Sequence, residues 1–145
     1  MLHVRSITQL LGGKKVLKPE PTTTAELMAA IDAGLPYASL EFVAEKVGLE
    51  TLEAQSEVLG IPTRTLQRRA EKGKLGPSES ELTVRLARVA QRAEDVLEDM
   101  GKAYQWLREP NAALGGKKPL ELIRTDLGTR MVEDVLTRIE YSVYG

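Results

Sequence analysis

Glycine and proline interrupt this chain at short intervals, and between the interruptions apolar residues return every three or four positions. The stops fall at Gly12-Gly13, Gly34, Pro36, Gly48, Gly60, Pro62, Gly73, Gly76-Pro77, Gly101, Pro110, Gly115-Gly116 and Pro119. Glycine ends helices because it reaches left-handed backbone angles, proline because it lacks an N–H. Apolar steps of three and four fill one face of a helix, whereas alternation, the mark of a half-buried strand, is not sustained anywhere. Aromatic residues make up only 4% of the chain. These patterns predict an all-α protein built from short helices.

Within residues 1–23, Leu2, Val4, Ile7, Leu10 and Leu11 suit a short helix stopped by Gly12-Gly13. Lys18-Pro19-Glu20-Pro21-Thr22-Thr23 reads as an extended linker. Thr23 with Glu26 fits a capping box, opening a helix whose apolar face is Leu27, Met28 and Ile31. Leu40, Val43, Ala44 and Val47 define the next helix. Thr51 opens another that Gly60 closes, and a fourth runs from Thr63 to Lys72 with Leu66 and Ala70 inward. The longest is expected from Ser78, capped with Glu81, through about Met100, with Gly101 as a break or bend. A helix near Ala103–Arg108 stops before Pro110. Pro119 starts a short helix through Ile123. The last helix carries Val132, Val135, Leu136, Ile139 and Val143 on one face.

A chain of 145 residues supports one domain or two small helical ones. No apolar run approaches the ~18–20 residues that cross a bilayer, and the N-terminus lacks a signal peptide's pattern. A cytoplasmic protein with no membrane partner is expected. With no cysteine and the single His3, no metal site and no thiolate chemistry are expected. The formal net charge is −1, but its distribution is uneven. Residues 61–76 hold five cations against Glu71, a net +4, while residues 78–100 hold three arginines against six acids, a net −3. A basic segment in a near-neutral chain points to one anion-facing surface.

That segment follows a helix, a turn at Gly60 and a second helix, which is the order of a helix-turn-helix. Such a unit lays its second helix in the DNA major groove with the N-terminal residues toward base edges. Thr63, Arg64, Thr65, Gln67 and Arg68 lie near that end, where Arg pairs with guanine and Gln with adenine. Arg69, Lys72 and Lys74 suit phosphate contacts, which need charge rather than fine geometry. The alternative for the same residues is an ordinary solvated helix. A single unit of this kind binds weakly, so a homodimer on a two-fold related site is expected.

Downstream, Trp106-Leu107, Pro110-Asn111, Gly115-Gly116 and Pro119 compress helix stops and starts into a short block, with Thr125 as a cap and Gly128 allowing close packing or an unusual backbone angle. Trp106, Leu114, Leu120, Val132 and Leu136 read as scaffold. Leu114-Gly115-Gly116-Lys117-Lys118 echoes Leu11-Gly12-Gly13-Lys14-Lys15, but the flanks differ. Neither copy is a phosphate loop, since Asn111 and Lys118 stand where that loop needs Gly and Ser or Thr.

The run Ala103, Trp106-Leu107, Pro110-Asn111, Leu114-Gly115-Gly116, Pro119-Leu120, Leu122, Thr125, Gly128, Val132, Leu136 and Ile139 resembles the toxin-binding domain of Xre/MbcA/ParS-type antitoxins over about residues 95–145. The part upstream resembles their Xre-like helix-turn-helix. The expected organisation is an N-terminal segment and linker (1–23), a DNA-binding helix-turn-helix bundle (24–77), then a connecting helix and small helical toxin-binding domain (78–145). Ser142 is a departure, lying near where many relatives carry a glycine before a terminal Val or aromatic residue. The resemblance implies a RES-domain toxin that degrades NAD⁺ as partner, blocked at its active site by the C-terminal module. It also implies promoter DNA as a second partner, autoregulation of the operon, and a homodimer within a larger toxin–antitoxin complex. On the toxin-facing side the candidates are Lys117, Lys118, Arg124, Arg130, Arg138, Tyr141 and Tyr144; the lysines have solvated-loop residues as their alternative.

No nucleophile–base pair or metal cluster supports an enzyme, and acids such as Glu94-Asp95 or Glu133-Asp134 point to different sides of a helix. No catalytic residue and no cofactor are expected. The competing reading is a stand-alone transcription regulator whose C-terminal module senses another signal.

Overall fold

The computed structural model describes residues 3–144, with side chains placed through Ser142. Leu2, Val143 and the Tyr144 ring, expected on apolar faces or contact surfaces, lie outside the described residues and side chains. Among the described residues all regular structure is helical, apart from two isolated antiparallel bridges, Pro36 with Lys74 and Asn111 with Lys117. The chain forms two compact units, Met1–Ala87 and Arg88–Gly145.

The first unit begins with α1 (Val4–Leu10) and a 3-10 turn at Gly13–Lys15. It continues with α2 (Thr24–Ala33), α3 (Tyr37–Val47), α4 (Leu52–Leu59), α5 (Thr63–Lys72) and the start of α6 (Pro77–Leu97). Segment 18–23 is non-helical as expected, but instead of running extended it bends at Lys18 and Pro19, which are joined by a cis peptide bond, and it is tied down. Leu17 and Pro21 are buried, and the Leu11 carbonyl accepts the Ser39 hydroxyl at 2.8 Å. Leu40, Val43, Ala44 and Val47 are fully buried, so α3 is the central helix of this unit.

Capping follows the sequence closely. The Thr23 hydroxyl accepts the Glu26 N–H at 3.1 Å, and the Glu26 carboxylate accepts the Thr23 N–H at 3.2 Å. Thr51 caps α4 by accepting the Ala54 N–H at 3.1 Å. Three expectations need correction. Met28 is 61% exposed, because the inward line of α2 passes through Leu27 alone. Ala70 is exposed, because the inward line of α5 runs from Leu66 to the half-buried Arg69 one turn on. The helix α6 starts at Pro77 rather than Ser78, and Glu79, not Glu81, reaches back to a free N–H, that of Gly76 at 2.8 Å. Proline at a first helical position costs no hydrogen bond, which favours this earlier start.

The second unit contains the rest of α6, α7 (Met100–Leu107), a 3-10 turn (Ala112–Leu114), α8 (Pro119–Leu122) and α9 (Asp126–Tyr144). The long helix breaks at Glu98, which has φ 57°, and Asp99 caps α7 by accepting the Lys102 N–H at 2.8 Å. Gly101 therefore lies inside the first turn of α7 instead of making the break. Leu107, Leu114, Leu120, Ile123, Val132 and Leu136 fill the core of this unit, while Trp106 is half-buried. Gly128 is required by close approach: a Cβ there would lie 2.0 Å from the Leu122 carbonyl oxygen. Thr125 caps α9 by accepting the Gly128 N–H at 3.0 Å.

Candidate functional site

Helices α4 and α5 are joined by Gly60-Ile61-Pro62, with Gly60 at φ 68°. A left-handed residue at this point turns the chain within three residues, and glycine takes that angle without steric cost. Ile61 is buried beneath the turn and Leu66 beneath α5, so one fully apolar contact holds α5 down and leaves its other sides to polar groups. Arg64, Gln67, Arg68, Glu71 and Lys72 are exposed, and Thr63 and Thr65 are half-exposed at the first turn. Arg64 and Arg68 stand one turn apart on the same outward face, with Gln67 beside them.

Arg69 and Lys74 are held differently. The Arg69 Nε–H donates to Glu79 Oε1 at 2.6 Å, with the two side chains only 26% and 13% exposed. Burial alone would raise the Glu79 carboxyl. The Gly76 N–H and the Arg69 guanidinium outweigh it and hold the carboxyl below its ordinary value. Lys74 follows Gly73 in the bridge to Pro36, where the Leu75 N–H donates to the Leu35 carbonyl at 2.8 Å and the Tyr37 N–H to the Gly73 carbonyl at 3.0 Å. The last turn of α5 is thus laced to the start of α3.

In the second unit, α9 uses three faces for different purposes. Val132, Val135 and Leu136 are buried. Glu133 and Glu140 face α6: Arg88 donates to Glu133 at 3.2 Å, and Arg92 donates to Glu140 at 2.9 Å and to Thr137 at 3.2 Å. The Glu140 carboxyl is lowered by its hydrogen bond from Arg92. On the third face, Leu127 is 75%, Met131 47% and Tyr141 67% exposed. Asp134 and Arg138, also exposed, complete a line at 127, 131, 134, 138 and 141. These spacings of three and four keep all five on one stripe. Nearby, Tyr104 donates its hydroxyl to Glu94; burial first, then the Glu94 hydrogen bond and charge, push the phenol up.

The expected C-terminal contact residues are spread over this unit. Arg138 and Tyr141 lie on the exposed stripe. Arg130 flanks it, paired with Asp126 at 3.1 Å where both are largely exposed. Lys117 and Lys118 are exposed on the loop before α8, where the Lys117 carbonyl accepts the Asn111 N–H at 3.0 Å and the Lys118 N–H meets Glu121 at 3.4 Å. Arg124 is exposed between α8 and α9 and engaged within the fold. Leu127 and Met131 were not among the sequence candidates. Their place in the period was readable, since they fall between the positions of the buried stripe.

Residues 26–88 match the antitoxin Xre-like helix-turn-helix domain, and residues 92–141 match the antitoxin Xre/MbcA/ParS C-terminal toxin-binding domain. An Antitoxin Xre of Yersinia enterocolitica is 39% identical over 87 residues, 59% of this chain and 59% of that protein's own length. An Antitoxin Xre of Pseudomonas putida is 32% identical over 122 residues, 83% of this chain and 75% of the relative. One from Photorhabdus laumondii is 30% identical over 122 residues, 81% of this chain and 80% of the relative. The two matched domains follow each other in the order of the two compact units, one holding the α4–turn–α5 pair and the other the exposed stripe of α9. The chain belongs to the Xre antitoxin family, a helix-turn-helix domain followed by a toxin-binding domain.

Proposed function

We propose that this antitoxin binds and neutralises a RES-domain, NAD-degrading toxin by obstructing its active site, and that it binds promoter DNA to autoregulate its operon. The toxin partner is contacted through α9. The observation that carries this reading is the exposed stripe of Leu127, Met131, Arg138 and Tyr141, inside the part of the chain that matches a toxin-binding domain. Exposed apolar side chains in one line, set among charged groups of both signs (Asp134 and Arg138 on the stripe itself), are the make-up of an interface core and rim. Lys117, Lys118, Arg124, Arg130 and Tyr144 are the proposed rim. DNA is read by Thr63, Arg64, Thr65, Gln67 and Arg68, with Lys72 and Lys74 toward phosphate, and the antitoxin works as a homodimer in the cytoplasm.

Co-expression with a tagged RES-domain protein encoded beside the gene tests the toxin half. Recovery of both chains together, with cellular NAD⁺ preserved, is the expected result. Recovery of the tagged protein alone, with NAD⁺ lost, would reject it. Binding to the DNA upstream of the gene, measured against a scrambled duplex, tests the other half.

A further inference from the structure

Arg69 lies on the most basic helix of the chain, yet its charge is already spoken for. One oxygen, Glu79 Oε1, accepts both the Arg69 Nε–H at 2.6 Å and the Gly76 N–H at 2.8 Å. The Glu79 side chain is 13% exposed. The pair packs closely over Gly76: a Cβ there would lie 2.8 Å from an Arg69 guanidinium nitrogen and 2.9 Å from Glu79 Oε1. Beside it, the Ser80 hydroxyl accepts the Leu35 N–H at 2.8 Å, and the Lys74 N–H donates back to the Arg69 carbonyl at 3.3 Å. The start of α6 therefore grips the last turn of α5 and the loop that leads into α3.

We propose that Glu79 is a positioning residue of the DNA-binding surface: it withholds Arg69 from phosphate and uses it as a strut that sets the pose of α5. The proposal rests on the reading that α5 meets DNA. A charge-assisted pair with a backbone N–H on the same oxygen is short and directional, so it fixes geometry in a way a solvated ion pair does not. This part-buried pairing also neutralises the guanidinium, so no DNA counterion is released on its account. The phosphate contacts at the end of α5 are then those of Lys72 and of Lys74 just beyond it, with Arg69 excluded.

The test is the slope of log affinity against log salt, measured with the full chain on the duplex upstream of the gene and on a scrambled duplex. Each phosphate contact contributes a slope of about −0.9. Arg69→Gln is expected to leave the slope unchanged and to reduce discrimination between the two duplexes. Glu79→Gln, which keeps an acceptor for Gly76 but frees the guanidinium, is expected to steepen the slope by about 0.9. A slope about 0.9 shallower in Arg69→Gln would overturn the proposal, because Arg69 would then be a phosphate contact. If circular dichroism shows Arg69→Gln unfolded, Glu79→Gln decides alone, and an unchanged slope there overturns it. A wild-type chain that binds neither duplex rejects the DNA reading itself, a different outcome from either slope.

Discussion

At Gly128 a single missing methyl group decides how α8 and α9 meet. The Leu122 carbonyl occupies the space a side chain would need, 2.0 Å from the ideal Cβ, and this is backbone that cannot swing aside. Gly128→Ala should therefore destabilise the second unit by about 1–3 kcal/mol, in the range of overpacked core sites. Chemical denaturation followed by circular dichroism measures it, and a loss under about 0.5 kcal/mol would contradict the geometry. Glu79 supplies a pH-dependent counterpart in the first unit. Its carboxyl is lowered in the folded chain, so its stabilisation is present above the ordinary carboxylate value and is lost as pH falls through the depressed one. Wild type should lose stability on acidification faster than Glu79→Gln, and parallel curves would remove Glu79 from that role. Gly128 was legible in the sequence as a close-packing position. The Glu79 pairing was not, because Arg69 and Glu79 are ten positions apart and on different helices, and residue spacing has no means of pairing them.

Elements were read well where local chemistry alone determined them. Thr23 with Glu26, Thr51 and Thr125 mark helix starts through bonds made within four residues, Pro119 by needing no N–H partner, and a helix begins at each of them. Thr51→Ala should cost about 1 kcal/mol, the usual loss of an N-cap, and leave α5 in place. Misreadings cluster where tertiary context competes with local preference. Met28 and Ala70 fit an apolar face by composition but find nothing to pack against, and the break near Gly101 was moved to Glu98 because the Asp99 side chain caps the following helix. The period of α9 located its buried face correctly through Val132, Val135 and Leu136, but left unasked what the opposite face does. Leu127→Asp with Met131→Asp tests that face. Both side chains are substantially exposed, so folding stability should change by no more than about 1 kcal/mol, about 0.5 for each substitution. Toxin affinity should fall at least about tenfold, or ~1.4 kcal/mol, as when apolar anchors leave an interface. Calorimetric titration of the tagged toxin reads this directly, and unchanged affinity would remove the stripe from the interface.

At the scale of the whole molecule, the proposed function places the two partners on different units. The basic outward face of α5 belongs to Met1–Ala87, and the exposed stripe of α9 belongs to Arg88–Gly145. Each unit has its own core: α3 and α5 are anchored by Leu40, Val43 and Leu66, and α9 by Val132 and Leu136. Surface substitutions that spare both sets of buried residues should therefore make loss of each function separable in the full chain. Arg64→Ala with Arg68→Ala should cost operator binding about 2–6 kcal/mol if both side chains read bases, at about 1–3 kcal/mol each, while the variant still protects cells from the toxin. Leu127→Asp with Met131→Asp should show the reverse, retaining the DNA affinity of the isolated antitoxin while losing protection. DNA binding by fluorescence anisotropy and survival on toxin induction give the two readouts. Loss of both activities in the arginine variant, with circular dichroism unchanged, would mean that toxin and DNA share a surface. In the Leu127/Met131 variant, retained protection would move the toxin interface away from α9, toward the loop that carries Lys117 and Lys118.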